Sequence, residues 1–339
     1  MSASRRIVAW VGPNSTSPPG AGGIQLHLAD PGSSGNVTAA CFSGTSAKHA
    51  SLGGGSKGHG VATERAHGVC GEDSRRGDVD ISMKTNIVFN MAESQIEAAR
   101  VEALLDALPD PLSAERIIEL NRPGTDLHTH REYEWNGLRF DAPPGVFLPG
   151  HTSRMIYDRL FDGRIEVRDR RYVAMGVGLG VETVAAGLAG AREIHAVDVH
   201  PDSVATAGRH FERHVGSSEP PVFTPVVADV FDGFPEGVQS DVVTFNPPAV
   251  SHPISDDPDI VRNVCVGAPL LERFFTQLAE REILTPGGEV FVVASTTADL
   301  RGIVGHALAH GFTPEIRDLH DWQDGVVTHL FRFVRKVVS

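Results

Sequence analysis

The chain has 339 residues, a hydrophobic content of 41% and a formal net charge of −13 at pH 7. The apolar content is enough for a sizeable core, and the length accommodates one large domain or two smaller ones. The acidic balance argues against non-specific contact with phosphate backbones, so nucleic acid is not expected as a partner. No apolar run has the length of a membrane span, so no membrane association is expected either.

The three cysteines, Cys41, Cys70 and Cys265, are widely scattered along the chain. Their positions fit neither a disulfide framework nor a zinc-binding spacing, and a reducing compartment is the simpler interpretation. The first residues lack the pattern of a signal peptide. We therefore expect a cytoplasmic protein, and the sequence leaves its oligomeric state open.

Residues 1–82 are rich in glycine and show no sustained helical or strand periodicity. Such a composition buries too little apolar surface to offset the entropy of ordering the chain, which predicts a disordered tail. Met83 opens the first stretch of globular character. The sequence is therefore compatible with a natural start at Met83.

Two helices are predicted within residues 83–131, where they would form a small cap before the catalytic domain. The first runs from residue 92 to residue 108 and begins at a capping box on Ser94. The second covers residues 113–120 and ends before a proline and a glycine.

The motif Asp126-Leu127-His128-Thr129-His130 allows two interpretations. Some metal-dependent hydrolases use the pattern Asp-x-His-x-His to bind a metal, with further ligands from later strands of a barrel. This chain has no barrel-like repeat of strands and helices, so the prediction is that it holds no metal.

Residues 132–339 are predicted to form one α/β domain. A hairpin is expected around Asn136-Gly137, followed by a proline-rich loop. Beyond it, apolar strands alternate with amphipathic helices, which predicts a doubly wound, mainly parallel sheet of the Rossmann-like kind. The predicted strands cover residues 172–175, 193–198, 222–227, 241–245, 289–294 and 328–334, and the predicted helices cover 155–160, 182–189, 201–211, 270–284 and 300–310.

The glycine turn Gly176-Val177-Gly178-Leu179-Gly180 comes directly after the first of these strands, and Asp198 ends the next strand. Glycines let the backbone approach a ligand closely, and a carboxylate at the following strand end accepts ribose hydroxyl protons. The combination indicates a nucleotide site, although dinucleotide enzymes and other α/β folds use the same device.

A second motif sharpens this interpretation, because the strand over residues 241–245 ends in Asn246-Pro247-Pro248. The order of glycine turn, acidic strand end, Asp229 and Asn-Pro-Pro resembles the class I S-adenosylmethionine-dependent methyltransferases of the Asn-Pro-Pro-Tyr/Phe type. These include the release-factor glutamine methyltransferases and the small-domain methyltransferases. The resemblance covers residues 135–334.

The resemblance implies S-adenosyl-L-methionine as the cofactor and a role for each matching residue. The glycines would approach the amino acid part, Asp198 would accept from the ribose hydroxyls and Asp229 from the adenine amino group. Residues of the proline-rich loop would lie over the methionine end. The implied cofactor-binding residues are Gly176, Gly178, Gly180, Asp198, Asp229, Asn246, Phe147 and Thr152.

The implied catalytic residues follow the strand over 241–245. The Asn246 side-chain oxygen and the Pro247 carbonyl can each accept a hydrogen bond from a substrate N–H, which aims the nitrogen lone pair at the methyl group. His252, just behind the motif, is a candidate acceptor for the departing proton.

Two departures from the family pattern concern the ends of the site. Ala174 replaces an acidic residue before the first glycine, and Glu182 is the candidate substitute. Ala249 replaces the aromatic residue of the motif, and Trp135, Tyr157 and Trp322 are the candidates for its place.

The function predicted from the sequence is methylation of a nitrogen atom of a small molecule or of a protein side chain. A nicotinamide-dependent oxidoreductase is the alternative from another enzyme class, although the chain lacks a Gly-x-Gly-x-x-Gly turn and carries Asn-Pro-Pro. A non-catalytic cofactor-binding protein on the same fold is the third possibility, because of Ala174 and Ala249.

Overall fold

The computed structural model describes residues 95–120, 127–216, 219–265 and 267–335. The tail predicted over residues 1–82 lies outside these ranges, and the boundary between the cap and the α/β domain stays a prediction. Among the described helices, none combines the length and the apolar composition that crossing a bilayer requires.

Both predicted cap helices are present, as α1 over residues 95–107 and α2 over Ala114–Leu120. A two-stranded antiparallel hairpin follows, with β1 at Arg131–Trp135 and β2 at Leu138–Ala142. Its turn residues have positive φ angles, 50° at Asn136 and 74° at Gly137. Asn-Gly is the dipeptide that tolerates this turn best, so the predicted hairpin is confirmed.

A seven-stranded sheet forms the body of the protein, with the strand order β5-β4-β3-β6-β7-β9-β8. Strands β5, β4, β3, β6 and β7 pair in parallel, whereas β9 is antiparallel to both β7 and β8. The strands are β3 Arg171–Met175, β4 Glu193–Asp198, β5 Val222–Val227, β6 Ser240–Phe245, β7 Leu284–Ser295, β8 Phe312–Asp321 and β9 Val327–Arg335.

Helices connect the strands and cover both faces of the sheet, which confirms the predicted Rossmann-like methyltransferase fold. The helices are α3 Arg154–Phe161, α4 Val181–Leu188, α5 Pro201–His214, α6 Pro258–Val264, α7 Ala268–Glu280 and α8 Leu300–Ala309.

Three elements differ from the sequence prediction, each for a physical reason. Helix α7 ends at Glu280, because Glu282 adopts a φ of 51° and the chain turns into β7. Strand β8 was not predicted, since its outer half is exposed and carries charged residues. Helix α6 was not predicted either, because it has seven residues and none of them is buried.

Two hydrophobic clusters lie on opposite faces of the sheet. Side chains alternate along a strand, so Val173 and Met175 of β3 join one cluster while Tyr172 and Ala174 join the other. The two-sided burial explains why the central strands consist almost entirely of apolar residues. Polar side chains that take part in binding or catalysis are therefore expected at the ends of these strands.

The third motif glycine, Gly180, allows helix α4 to lie close against helix α5. It precedes α4 with a φ of 85°, and a Cβ atom there would lie 2.6 Å from the Cα atom of Ala207 in α5. A side chain would therefore push α4 away from α5. Gly137 of the hairpin turn has a similar φ of 74° but has no atom within 4 Å of the equivalent position.

We predict that Gly180→Ala lowers the free energy of unfolding by about 2–4 kcal/mol, the sum of left-handed backbone strain and overpacking. Gly137→Ala is the matched control, because it adds only the strain of about 1 kcal/mol. Urea denaturation of both variants measures the difference. Equal losses would mean that α4 and α5 are free to separate.

Candidate active site

Three parallel strands end at one edge of the sheet, and their ends surround a cavity of about 730 Å³. Gly176 follows β3, Asp198 is the last residue of β4, and Asn246 follows β6. All three line the cavity. Parallel strands bring their carboxyl ends to the same edge, where doubly wound sheets bind ligands.

Most of the residues predicted for the site meet in this cavity. Two do not line it, namely Gly180, which packs on α5, and His252, whose electrostatic neighbour is Glu115 of α2. Their predicted roles stay predictions. The predicted residues that line the cavity are Phe147, Thr152, Gly176, Gly178, Asp198, Asp229, Asn246 and Pro247.

The glycine turn presents bare backbone to the cavity. Gly176 and Gly178 have φ angles of 67° and 48°, in the region that favours glycine. A Cβ atom at Gly176 would lie 3.2 Å from the Phe245 ring, and one at Gly178 would lie 3.5 Å from Cβ of Phe147. Side chains at either glycine would fill the space beside the turn, so the turn can admit a ligand close to its backbone.

Asp198 is held by two backbone groups and keeps acceptor capacity towards the cavity. Its Oδ2 accepts from the Gly178 N–H and its Oδ1 accepts from the His200 N–H, both at 2.9 Å. Burial raises the pKa of this carboxyl, while the two N–H groups oppose the shift. Each carboxylate oxygen has two lone-pair sites, so one on each remains for a hydroxyl donor.

Asp229, the predicted acceptor for adenine, is already paired in this structure. The guanidinium of Arg273 in α7 donates to both its oxygens, at 3.0 and 2.6 Å. Both side chains are about half exposed, and such pairs contribute little to stability. A ligand amino group would therefore share the carboxylate with Arg273 or displace it at small cost.

Asn246 is fixed by a residue that the sequence did not single out. Its Nδ2 donates to the Ser153 hydroxyl at 2.9 Å. Ser153 is 3% exposed and begins α3 without capping it, so its hydroxyl serves the amide instead. Within the described residues no group donates to Asn246 Oδ1, which remains free to accept.

The Pro247 carbonyl is partly used, since it accepts from the Ala249 N–H at 2.8 Å. A carbonyl oxygen has a second lone pair, which stays available. The Pro248 carbonyl accepts from the Gly267 N–H at 3.1 Å and closes the loop that leads into α7. The motif is therefore held rigidly at the cavity wall.

Glu182 does not line the cavity, although the sequence made it the candidate for the acid missing at position 174. Its carboxyl accepts from the Thr244 hydroxyl at 2.8 Å, and Tyr172 contacts the same hydroxyl at 2.5 Å. Thr244 pairs with Ala174 across the sheet. Burial raises the pKa of Glu182 to about 7.

The end of the cavity beyond Asn246 is built by elements that carry no sequence motif. Ser295 and Thr297 come from the end of β7, and Leu120 closes α2. His151 comes from the loop before α3, and a second group comes from the turn between β8 and β9. Among the turn residues lining the cavity are Trp322, Asp324 and Val326.

Among the described residues, one cluster of side chains has the ligand types and spacing that could hold a metal ion. The ligand atoms of His128, Asp257 and Asp259 fall within 4.8 Å of one another, and His128 Nε2 lies 3.0 Å from Asp257 Oδ2. Asp257 also caps α6, and the hydrogen bond from His128 lowers its pKa. These contacts dock α6 on residues 127–130, and the absence of a metal stays a prediction.

No family model matches the chain. A curated protein of Methanocaldococcus jannaschii, provisionally named a protein N5-glutamine methyltransferase, is 26% identical over 193 residues. The match covers 54% of this chain and 89% of that protein. The chain resembles the protein glutamine methyltransferases. This similarity confirms the resemblance that the glycine turn and Asn246-Pro247-Pro248 indicated, and with it the methyltransferase class.

Solved structures with a similar arrangement are also methyltransferases. The T. thermophilus 16S rRNA methyltransferase RsmC, in complex with AdoMet and guanosine, has a TM-score of 0.46 and 19% identity, and the match covers 61% of this chain. The match spans half, 50%, of that enzyme's length. The E. cuniculi Mtq2–Trm112 complex, which methylates the termination factor eRF1, has a TM-score of 0.41 and 18% identity over 57% of this chain and 99% of that one.

The expectation that nucleic acid is not a partner is wrong. RsmC, whose fold resembles that of this chain, is an rRNA methyltransferase. The net charge was a poor guide to the partner because it averages over the whole chain and hides local positive charge. Two guanidinium groups, those of Arg262 and Arg273, line the cavity of this acidic protein.

We predict that Glu182→Gln makes the protein more stable at high pH than the wild type. The folded pKa of about 7 exceeds the usual 4.5, so the carboxyl stabilises the fold fully below pH 4.5 and loses this contribution as pH rises through 7. Glutamine stays neutral, and the gain should reach about 3 kcal/mol above pH 8. Urea denaturation across this pH range measures it, and parallel pH profiles would contradict it.

Proposed function

We propose that the chain is an S-adenosylmethionine-dependent methyltransferase that methylates the side-chain amide nitrogen of glutamine in a protein. The observation that carries the proposal is the free acceptor atom of Asn246 at the wall of a cavity that also contains the glycine turn and Asp198. The similarity to a protein named for N5-glutamine methylation supports the choice of acceptor.

The cavity residues fit the cofactor. A volume of about 730 Å³ is within the usual range for such ligands. Gly176 and Gly178 would admit its amino acid part, Asp198 would accept from both ribose hydroxyls, and Asp229 would accept from the adenine amino group. Phe147 and Thr152 line the same cavity from the loop before α3. When bound, the cofactor supplies a methyl group already activated by the sulfonium charge.

The acceptor nitrogen needs positioning rather than strong activation, since the methyl group is transferred by in-line displacement. Asn246 Oδ1 and the remaining lone pair of the Pro247 carbonyl would accept the two amide hydrogens. Both acceptors lie on a rigid segment, since Ser153 holds the amide and two prolines restrict the backbone. His252, the predicted proton acceptor, does not line the cavity, and its role stays a prediction.

The other functions considered from the sequence have less support. A small-molecule acceptor rests on composition alone. In a nicotinamide-dependent oxidoreductase the free Oδ1 atom of Asn246 would have no evident role. A non-catalytic binding protein is distinguished by experiment, because it would bind the cofactor without methyl transfer.

We predict that Asp198→Ala weakens binding of S-adenosylhomocysteine by two orders of magnitude or more, since two charge-assisted hydrogen bonds of about 1.5–3 kcal/mol each are lost. Asp162→Ala, outside the cavity, is the control. Calorimetric titration measures both, with NAD as a parallel ligand. Binding of NAD in place of S-adenosylhomocysteine would overturn the methyltransferase proposal.

We predict that Asn246→Ala lowers methyl transfer to glutamine-containing peptides by about 10²–10³-fold, the usual loss on removing one positioned hydrogen-bonding group. Binding of S-adenosylhomocysteine should change much less. Asn263→Ala is the matched control, because Asn263 also lines the cavity but its amide donates to the Gly145 carbonyl. Transfer from labelled S-adenosylmethionine measures the rates, and unchanged turnover would remove Asn246 from the mechanism.

A further inference from the structure

The turn between β8 and β9 presents a fixed indole ring to the cavity. Trp322 lines the cavity, and its Nε1 donates to the Thr328 hydroxyl at 2.8 Å. Thr328 in turn hydrogen-bonds to the Ser295 hydroxyl at 2.7 Å. The turn itself is tight, because the Trp322 N–H donates to the Val326 carbonyl at 3.0 Å. The orientation of the ring is therefore set by the protein before any ligand binds.

The ring lies at the same end of the cavity as Asn246. The segment His151-Thr152-Ser153 connects the two, since the His151 ring is 5.8 Å from the Trp322 ring and Ser153 accepts from the Asn246 amide. Thr152, between them, also lines the cavity. A group held by Asn246 is thus bordered by the wall that contains Trp322.

The two phenylalanines that line the cavity lie against the glycine turn. Phe147 packs beside Gly178, and Phe245 packs beside Gly176, so both border the glycine turn. The residue directly behind the proline pair is Ala249, which offers no ring. Trp322 is therefore the indole available to a group bound at Asn246, among the residues that the structure describes.

An acceptor amide is planar, and its π face is complementary to the face of an aromatic ring. We propose that the indole of Trp322 is the surface on which the planar acceptor group stacks while Asn246 holds its nitrogen. This inference rests on the proposed function and adds the residue that selects planar acceptors. Leu120 and Val326 line the cavity alongside it and offer apolar surface to the methylene groups of a glutamine side chain.

Helix α2 supports this turn from outside. Arg116 Nη2 donates to the Asp324 carbonyl at 2.7 Å. The Asp324 carboxylate accepts from the Val326 N–H at 2.9 Å. The turn is therefore fixed both by its own hydrogen bonds and by helix α2. This explains how Trp322, a loop residue, can have a fixed orientation.

The test uses Trp322 as its own reporter. The chain has three tryptophans, and Trp135 is 3% exposed, donates to Asp158 and does not line the cavity. In a Trp10→Phe, Trp135→Phe background the emission comes from Trp322 alone. The protein is saturated with S-adenosylhomocysteine and titrated with N-acetylglutamine amide and, in a parallel experiment, with guanosine.

We expect N-acetylglutamine amide to change the Trp322 emission with saturation. In calorimetry, Trp322→Leu should weaken its binding by about two- to tenfold, the range of aromatic stacking energies, and Trp322→Phe should weaken it less because a ring remains. Both variants should bind S-adenosylhomocysteine as the wild type does. This last measurement also shows that each variant is folded.

Each other result has a separate meaning. Equal affinity of Trp322→Leu and wild type for the amide would overturn the stacking role. A Trp322-dependent response to guanosine with none to the amide would keep Trp322 as the platform and overturn glutamine as the acceptor. Loss of S-adenosylhomocysteine binding in the wild type would overturn the proposed function, and the amide titration without cofactor would still decide the role of Trp322.

Discussion

The parallel pairing of β4, β3 and β6 is the constraint on which the site depends. It brings Asp198, Gly176 and Asn246, separated by up to 70 positions in sequence, to one edge of the sheet. A shift of one residue in either of the two registers would turn these groups towards the other face. The apolar clusters on both faces of the sheet hold the register, so the core determines where the polar groups stand.

At this edge the protein partly satisfies Asp198 and Asn246 and leaves each with an open acceptor position. Asp198 receives two backbone N–H groups, and Asn246 gives its amide hydrogen to Ser153. What remains towards the cavity is oxygen with unused lone pairs. Such a wall favours ligands that bring hydroxyl and N–H donors, in agreement with a ribose on one side and an amide on the other.

The two positions at which the chain departs from the Asn-Pro-Pro-Tyr/Phe pattern that it resembles differ in their surroundings. At Ala174 the nearby acid, Glu182, is enclosed with Tyr172 and Thr244 beneath the turn instead of lining the cavity. At Ala249 the structure offers a ring from another part of the chain, Trp322. Trp135 and Tyr157, the other aromatic candidates, are buried in the cluster on one sheet face and do not reach the cavity.

The sequence by itself determined the fold class, the hairpin at Asn136-Gly137 and the places of Asp198 and Asn246, because each depends on a local pattern of apolar strand, turn residue and strand end. Only the tertiary structure decided the partners of these groups. Ser153 bonds to Asn246, Arg273 pairs with Asp229, and the Trp322 ring lies beside that of His151. Each of these contacts joins residues 44 or more positions apart. The hydrophobic periodicity of the sequence does not predict such contacts, because they form between loops and helices that only the folded sheet brings together.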